Sequence, residues 1–394
     1  MKKLFVISEY ISLKENTTSY YWARLTDSLQ NIYDTEIVCP KNKFTKTFIN
    51  ESSLKCHFIH DLNLSKNNIF TRIIRQLLFS LQIFFIILGK ADRNSVILTG
   101  TNPSLNLYVL TFLKMFKGFK FLLVCHDVFP LNLKPSGLIK SKLLLEILKY
   151  ISRPIYRSCD FIFVIGRDMK DAVISTGANK NKISYIPNWA NASHVFPQEK
   201  EKNKLIIKEN LKENIVFTFF GNIGRLQGVE NIISAMEFVK DNRIKLLIIG
   251  DGALKEKIKN DLNKGIYKNI IYYGPLKTSL QNIGLNACDV ALVSLIEGMK
   301  GLAVPSKSYF SLAADKPILY IGEENSEIDL IIKEHQLGWQ VQPNNPKKLA
   351  LLMDSIARDW PSNRPKNIYE KQKESFSEEQ ALRSYLNHIK DFAK

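Results

Sequence analysis

"VALVSLIEGMKGLAVPSKSYFSLAADKPILY" spans Val290 to Tyr320. Its first apolar run stops at Glu297-Gly298, a glycine-containing loop follows, a helix opens at Pro305-Ser306-Lys307, and a second apolar run starts after Lys316. Short Val/Ile/Leu-rich runs on either side of a helical stretch read as parallel strands covered on both faces. The charges at the turning points need a reason. A helix start favours acids, because the macrodipole is positive there and repels a cation. Lys307 in that place makes sense if an anion sits between it and the helix; otherwise it is a solvated surface charge. Glu297 has two readings as well, bonding the hydroxyls of a sugar or capping a loop.

The same alternation extends in both directions. "KLFVIS", "TEIVCP", "KCHFIHDL", "SVILTG", "KFLLVCHD", "FIFVIG" and "ISYIPN" precede a charged stretch, and "IVFTFFGN", "IKLLIIGDG", "NIIYYGP", "DVALVSL" and "KPILYIG" follow it. The expected fold is α/β, with two Rossmann-like doubly wound domains facing across a cleft. Residues 1–190 form the first domain and 191–370 the second, while 371–394 supply a helix that crosses back to the first. In open parallel sheets ligands lie beyond the carboxyl ends of the strands. Here those ends are "CHD" (125–127), "FFGNIGR" (219–225), "GDG" (250–252), "YGP" (273–275) and "SLIEG" (294–298).

With 394 residues, 45% apolar and 24% charged, the chain has globular composition, and disorder is excluded as its general state. The five cysteines are scattered along the chain without a close pair or metal-ligand spacing, which predicts reduced thiols in the cytoplasm. At the start, Ser8 and Glu9 interrupt the apolar run Leu4–Ile7, so a first strand is expected and not a signal peptide. The segment "NIFTRIIRQLLFSLQIFFIILGK" (68–90) is apolar, but Arg72, Arg75 and Gln82 leave a continuous core too short for the ~20 residues of a membrane span. Residues 1–190 hold 26 Lys+Arg against 13 Asp+Glu, and 191–394 hold 29 against 25, so most of the net charge of +17 lies in the first half. Basic charge beside a greasy helix favours an anionic membrane surface over nucleic acid. Ile69 to Leu88 is the expected docking segment, with nearby basic residues facing anionic lipid and Ile83, Phe84 and Phe85 contributing to the apolar contact.

Several side chains are placed where chemistry needs them. Gly221, Asn222 and Gly224 lie between a strand and a helix, where backbone N–H groups approach a phosphate, or where the chain simply turns tightly. Arg225 follows with a planar fork suited to phosphate. With Lys307 and the free amides of its helix's first turn, these residues make a metal-free diphosphate cradle. His126-Asp127 ends a strand of the first half, where a donor reaches a ligand or only completes the fold. No hydrolytic triad and no metal-ligand spacing emerges.

Taken in order, "CDFIFVIGRDMKDAVISTGANKNKISYIPNWAN", "FFGNIGRLQGVENII", "LLIIGDGALKEKIK", "IIYYGPL" and the stretch from Glu297 to Pro317 resemble the retaining, nucleotide-sugar-dependent glycosyltransferases of GT-B architecture, family 4. "VPSK" and "KPIL" resemble the branch that builds bacterial surface polysaccharides on a lipid carrier. The resemblance implies a donor diphosphate on Gly221, Asn222, Gly224 and Arg225 and on Pro305, Ser306 and Lys307, and a base near Pro275 and Leu276. It puts the sugar on Glu297 with His126 as the second catalytic residue, and Thr17, Thr18 and Asp127 on the acceptor side. It further implies a UDP- or GDP-sugar donor, a lipid-linked saccharide acceptor, no metal or other cofactor, no nucleic acid, and a place on the inner face of the plasma membrane. The chain departs from the family's pattern at Phe310, where a ribose-binding acid is usual, at Leu226-Gln227, at Asp315, and at "NTTS" (16–19) in place of a glycine pair. A sugar-nucleotide epimerase of the same architecture and a catalytically silent partner of another transferase are the alternatives.

Overall fold

The computed structural model describes the chain apart from residues 62–68, 192–193, 264, 266 and 394 and the side chains of 69, 70 and 72. It divides into two compact units. The first takes Met1–Leu133, Ile139–Pro187 and Ala381–Lys394; the second takes Lys134–Leu138 and Asn188–Gln380.

In the first unit, β1 (Lys3–Ile7), β2 (Asp34–Pro40), β3 (Lys55–Ile59), β4 (Val96–Gly100), β5 (Lys120–Cys125), β6 (Phe161–Val164) and β7 (Ile183–Tyr185) form a sheet in the order β3-β2-β1-β4-β5-β6-β7. In the second, β8 (Ile215–Phe220), β9 (Ile244–Ile249), β10 (Ile270–Gly274), β11 (Val290–Ser294), β12 (Ile318–Ile321) and β13 (Gly338–Val341) are ordered β10-β9-β8-β11-β12-β13. Every pairing is parallel. The strand order therefore reverses between β1 and β4 and again between β8 and β11, the points at which a doubly wound sheet opens a crevice for a ligand. All twelve apolar runs became strands. β13 was not anticipated: "GWQV" is four residues long, at the sheet edge and largely half-buried, with too little alternation to read.

The closing segment is tied into the first unit by Tyr33 Oη, which donates to Ile389 O at 2.8 Å, and by a 3.0 Å bond between Ser184 Oγ and His388 Nε2. The departures "NTTS" and Asp315 have local explanations. Asn16 caps the helix Thr17–Leu29 by accepting from Ser19 N, while Ser19 Oγ accepts from Asn16 N, both at 2.9 Å. Asp315 has φ of 59°, a conformation glycine adopts most freely, and Arg364 Nη2 holds it by donating to Asp315 O at 2.6 Å.

Three expectations are corrected. The helix Ile69–Lys90 has 22 residues, about 33 Å, and is long and apolar enough to cross a bilayer. What commits it to the first unit is packing: Phe79, Ile83 and Ile87 are buried, and Ser80 Oγ donates to Asn106 Oδ1 at 2.7 Å. Ile83 therefore does not face lipid. Arg75 does not face it either, since Glu9 and Asp61 hold its guanidinium. The five cysteines are free thiols, and Cys39 and Cys56, distant in sequence, meet on neighbouring strands with Sγ 3.6 Å apart.

Candidate functional site

Because all strands of the second sheet are parallel, the loops that leave β8, β9, β10 and β11 share one edge. The loop after β8 is closely packed. Gly221 has φ of 129°, and a Cβ there would lie 3.6 Å from Lys307 Nζ. Gly250 is obligatory beneath it, since a Cβ on Gly250 would stand 1.8 Å from Gly221 O. Gly252 is similarly pressed by Ile223 O at 2.5 Å, and Ile223 N donates to Asp251 O at 2.9 Å. On the other side, Ile296 N donates to Leu226 O at 3.1 Å and Ser294 Oγ donates to Gln227 O, so the loop is fixed to the end of β11. Leu226 and Gln227 thus contribute carbonyls where the family pattern has a lysine. Asn222 lies over Gly224, which a Cβ would bring to 3.0 Å from Asn222 Nδ2.

Lys307 begins the helix Lys307–Ala313. Its ammonium is buried, has no hydrogen-bond partner among the described residues, and stands 3.7 Å from the centre of the Phe219 ring. Burial with only a ring face for compensation pulls its pKa down to about 7. The helix start offers fewer donors than expected, because Ser308 N is taken by Pro305 O and Tyr309 N by Ser306 O, both at 3.1 Å. Arg225 is exposed, on the turn Arg225–Gln227. Pro275 is exposed after β10, whereas Leu276 turns its side chain inward over Gly284 and Phe220. Phe310 is 5% exposed and belongs to the core.

Glu297 is exposed, and Asn344 Nδ2 donates to its Oε2 at 3.2 Å. The loop behind it is anchored by a different acid. Glu323 Oε2 accepts from both Gly298 N and Lys300 N at 2.9 Å.

In the first unit, His126 follows β5 beside Trp22, with ring centres 6.0 Å apart. Burial lowers its pKa to about 4, so the ring is neutral at physiological pH. Burial raises the pKa of Asp127, against hydrogen bonds from Thr101 and Asn132. Thr17 is half-buried and Thr18 exposed, in the first turn of their helix. Among the described residues, no group of three His, Cys, Asp or Glu side chains is placed to hold a metal ion.

The model of the family "Glycosyl transferases group 1" matches residues 199–375, the part of the second unit that carries β8 to β13. A probable glycosyltransferase of Pseudomonas aeruginosa, WbjE, is 38% identical over 358 residues, 90% of each chain. The chain belongs to the group 1 glycosyltransferases. WcaI of Escherichia coli, named as a putative colanic acid biosynthesis glycosyl transferase, is 23% identical over 59% of this chain and 57% of its own. Anabaena HepE, solved in complex with UDP, superimposes with a TM-score of 0.73 over 99% of this chain and 100% of its own at 13% identity, a likeness of fold. Both parallel-sheet domains of this glycosyltransferase thus have the GT-B fold.

Sequence reasoning missed several rim residues of this glycosyltransferase. Glu323 directly follows β12 and its Gly322, a position at a strand's carboxyl end that flags it once β12 is recognised. Asn344 follows the unrecognised β13. In the first unit, Glu9, Arg75 and Asn102 line a cavity of about 170 Å³, in which Asn102 Nδ2 donates to Glu9 Oε2 at 3.1 Å. In the sequence Glu9 interrupts an apolar run, and its place just past β1 is the signal that marks it.

Proposed function

We propose that this glycosyltransferase is a retaining enzyme of family 4. It moves a hexosyl or N-acetylhexosaminyl group from a UDP-sugar to a lipid-linked saccharide in bacterial O-antigen, capsule or exopolysaccharide synthesis, without a metal ion. The observation that carries the proposal is the buried Lys307 ammonium, without a hydrogen-bond partner among the described residues, against the glycine loop that starts at Gly221. UDP bound to a protein of this fold and a colanic acid relative support the choice of donor and product class.

In this reading the diphosphate lies on Gly221, Asn222, Gly224 and Arg225 and on the start of the Lys307 helix, with the base near Pro275 and Leu276. Glu297, oriented by Asn344, accepts from sugar hydroxyls. Neutral His126 bonds the sugar, and Thr17, Thr18 and Asp127 serve the acceptor. The bond from the anomeric carbon to phosphate breaks, the acceptor oxygen bonds to that carbon on the same face, and the acceptor proton passes to the departing phosphate. Negative charge growing on UDP meets Lys307 and Arg225 already in place, the role a metal ion has elsewhere.

The test combines binding and product analysis. Thermal stabilisation should be largest with UDP among UDP, GDP, CDP and dTDP, and EDTA should leave transfer intact. Inversion at the anomeric carbon, or loss of transfer to EDTA that Mg²⁺ restores, overturns the mechanism. Isomerisation of a nucleotide sugar without acceptor identifies an epimerase. Absence of binding to every nucleoside diphosphate identifies a silent partner.

A further inference from the structure

Glu297 and Glu323 leave the second sheet side by side. β11 and β12 are parallel neighbours with Ser294 opposite Ile321, and Glu297 follows the end of one strand as Glu323 follows the end of the other. Glu297 is exposed, and among the described residues its carboxylate takes one hydrogen bond, the 3.2 Å bond from Asn344 Nδ2. With so little holding the side chain, its position depends on the backbone beneath it.

That backbone is held by Glu323. A single oxygen, Glu323 Oε2, accepts from Gly298 N, the amide that leaves Glu297, and from Lys300 N, both at 2.9 Å. Bonds from amides to a carboxylate are charge-assisted and stronger than neutral ones. The remainder of the loop is fixed by packing, since Met299, Leu302 and Val304 are buried and Leu302 N donates to Met299 O at 3.0 Å. Gly298 and Lys300 are exposed, and there the half-buried Glu323 supplies what packing does not.

We infer that Glu323 is a positioning residue for sugar transfer, fixing the Glu297 carboxylate through the Gly298 and Lys300 amides. The inference rests on the assignment of Glu297 to the donor sugar. A group that must meet a reacting sugar works only when its support holds it in place. Loss of Glu323 therefore lowers turnover through Glu297, and leaves in place the UDP binding that the glycine loop and Lys307 carry.

The test follows release of UDP by the full chain from UDP-glucose, UDP-galactose and UDP-N-acetylglucosamine, with water as acceptor. The bond from the anomeric carbon to phosphate breaks, the water oxygen bonds to that carbon, and its proton passes to the departing diphosphate. Glu323→Ala should lower kcat by about tenfold or more, the scale on which misplacing a reacting group acts, with UDP affinity kept. Amide exchange at Gly298 and Lys300 should quicken in the same variant. Glu323→Gln should keep both rate and protection, because one amide oxygen can accept both bonds. Glu297→Gln should also slow release, and adding Glu323→Ala to it should cost nothing further, since the second residue acts through the first. A purely structural tie predicts losses that add. Additive losses, parent kcat or weakened UDP binding in Glu323→Ala, or failure of Glu323→Gln to restore the rate overturns the inference, the last by making Glu323 a direct ligand of the donor. Parent turnover in Glu297→Gln, or no release from any of the three donors, overturns the donor-sugar assignment first and the inference with it.

Discussion

Arg75 in the first unit and Lys307 in the second are both cations largely shielded from water, and they are treated in opposite ways. Arg75 Nη1 donates to Glu9 at 2.6 Å, while Nε and Nη2 donate to the two oxygens of Asp61 at 2.9 and 2.7 Å. The Asp61 bonds, against burial and with Glu9, push its pKa further up. Lys307 faces a phenylalanine ring and has no hydrogen-bond partner among the described residues, and its pKa falls to about 7. Desolvation penalises charge in both places. Partners decide the outcome, so the first cation is part of the fold and the second leaves a charge for a ligand to satisfy.

Removing each cation should therefore have opposite effects on stability. Arg75→Met takes the cation away from the buried Glu9 carboxylate, and urea unfolding should show a loss of about 3–5 kcal/mol. A loss under 1 kcal/mol would erase the contrast. Lys307→Met should instead stabilise the protein by about 2–4 kcal/mol at pH 7. The sign follows from the lowered pKa. The unfolded chain takes up the proton near the ordinary value of 10.5 and the fold only near 7, so the gain from Met is full below pH 7 and fades as pH rises towards 10.5.

The same lysine sharpens the comparison when UDP is added. At pH 8 the free ammonium has mostly lost its proton, and the diphosphate should restore it. Calorimetry in buffers of different ionisation enthalpy should show uptake of up to one proton per UDP, falling towards zero at pH 6. Affinity should decline as pH rises above 7. Uptake that is absent at pH 8 and in Lys307→Met alike would separate Lys307 from the diphosphate. Arg225→Ala removes a charged partner that was exposed from the start, so UDP affinity should drop by about 1.5–3 kcal/mol with melting unchanged. The smallest effect is expected at Asn344→Ala, where one 3.2 Å bond to Glu297 is lost: transfer should slow by about 0.5–1.5 kcal/mol while UDP affinity holds. Weaker UDP binding in that variant would place Glu297 against the nucleotide and not the sugar.

The glycine loop at Gly221, the strand ends and Lys307 were legible because each depends on local sequence: a run of apolar residues, a residue without a side chain, a charge at a helix start. Asn344 escaped because it follows β13, whose four residues have no period long enough to read. Leu276 was named as a rim residue from its place after β10, yet its side chain fills the space over Gly284. Phe310 was conspicuous as a missing acid, and burial shows it as a core residue instead.

By itself the sequence determined two parallel α/β sheets and the loops that carry chemistry, since apolar periodicity and turn residues act over a few neighbours along the chain. Tertiary structure alone decided which charges were paired. Glu9 and Asp61 are 66 and 14 residues from Arg75, and sequence holds no trace of their meeting. It likewise decided that Ile83 is core while Phe85, two positions on, is exposed, because a helix's neighbours select which of its faces is buried.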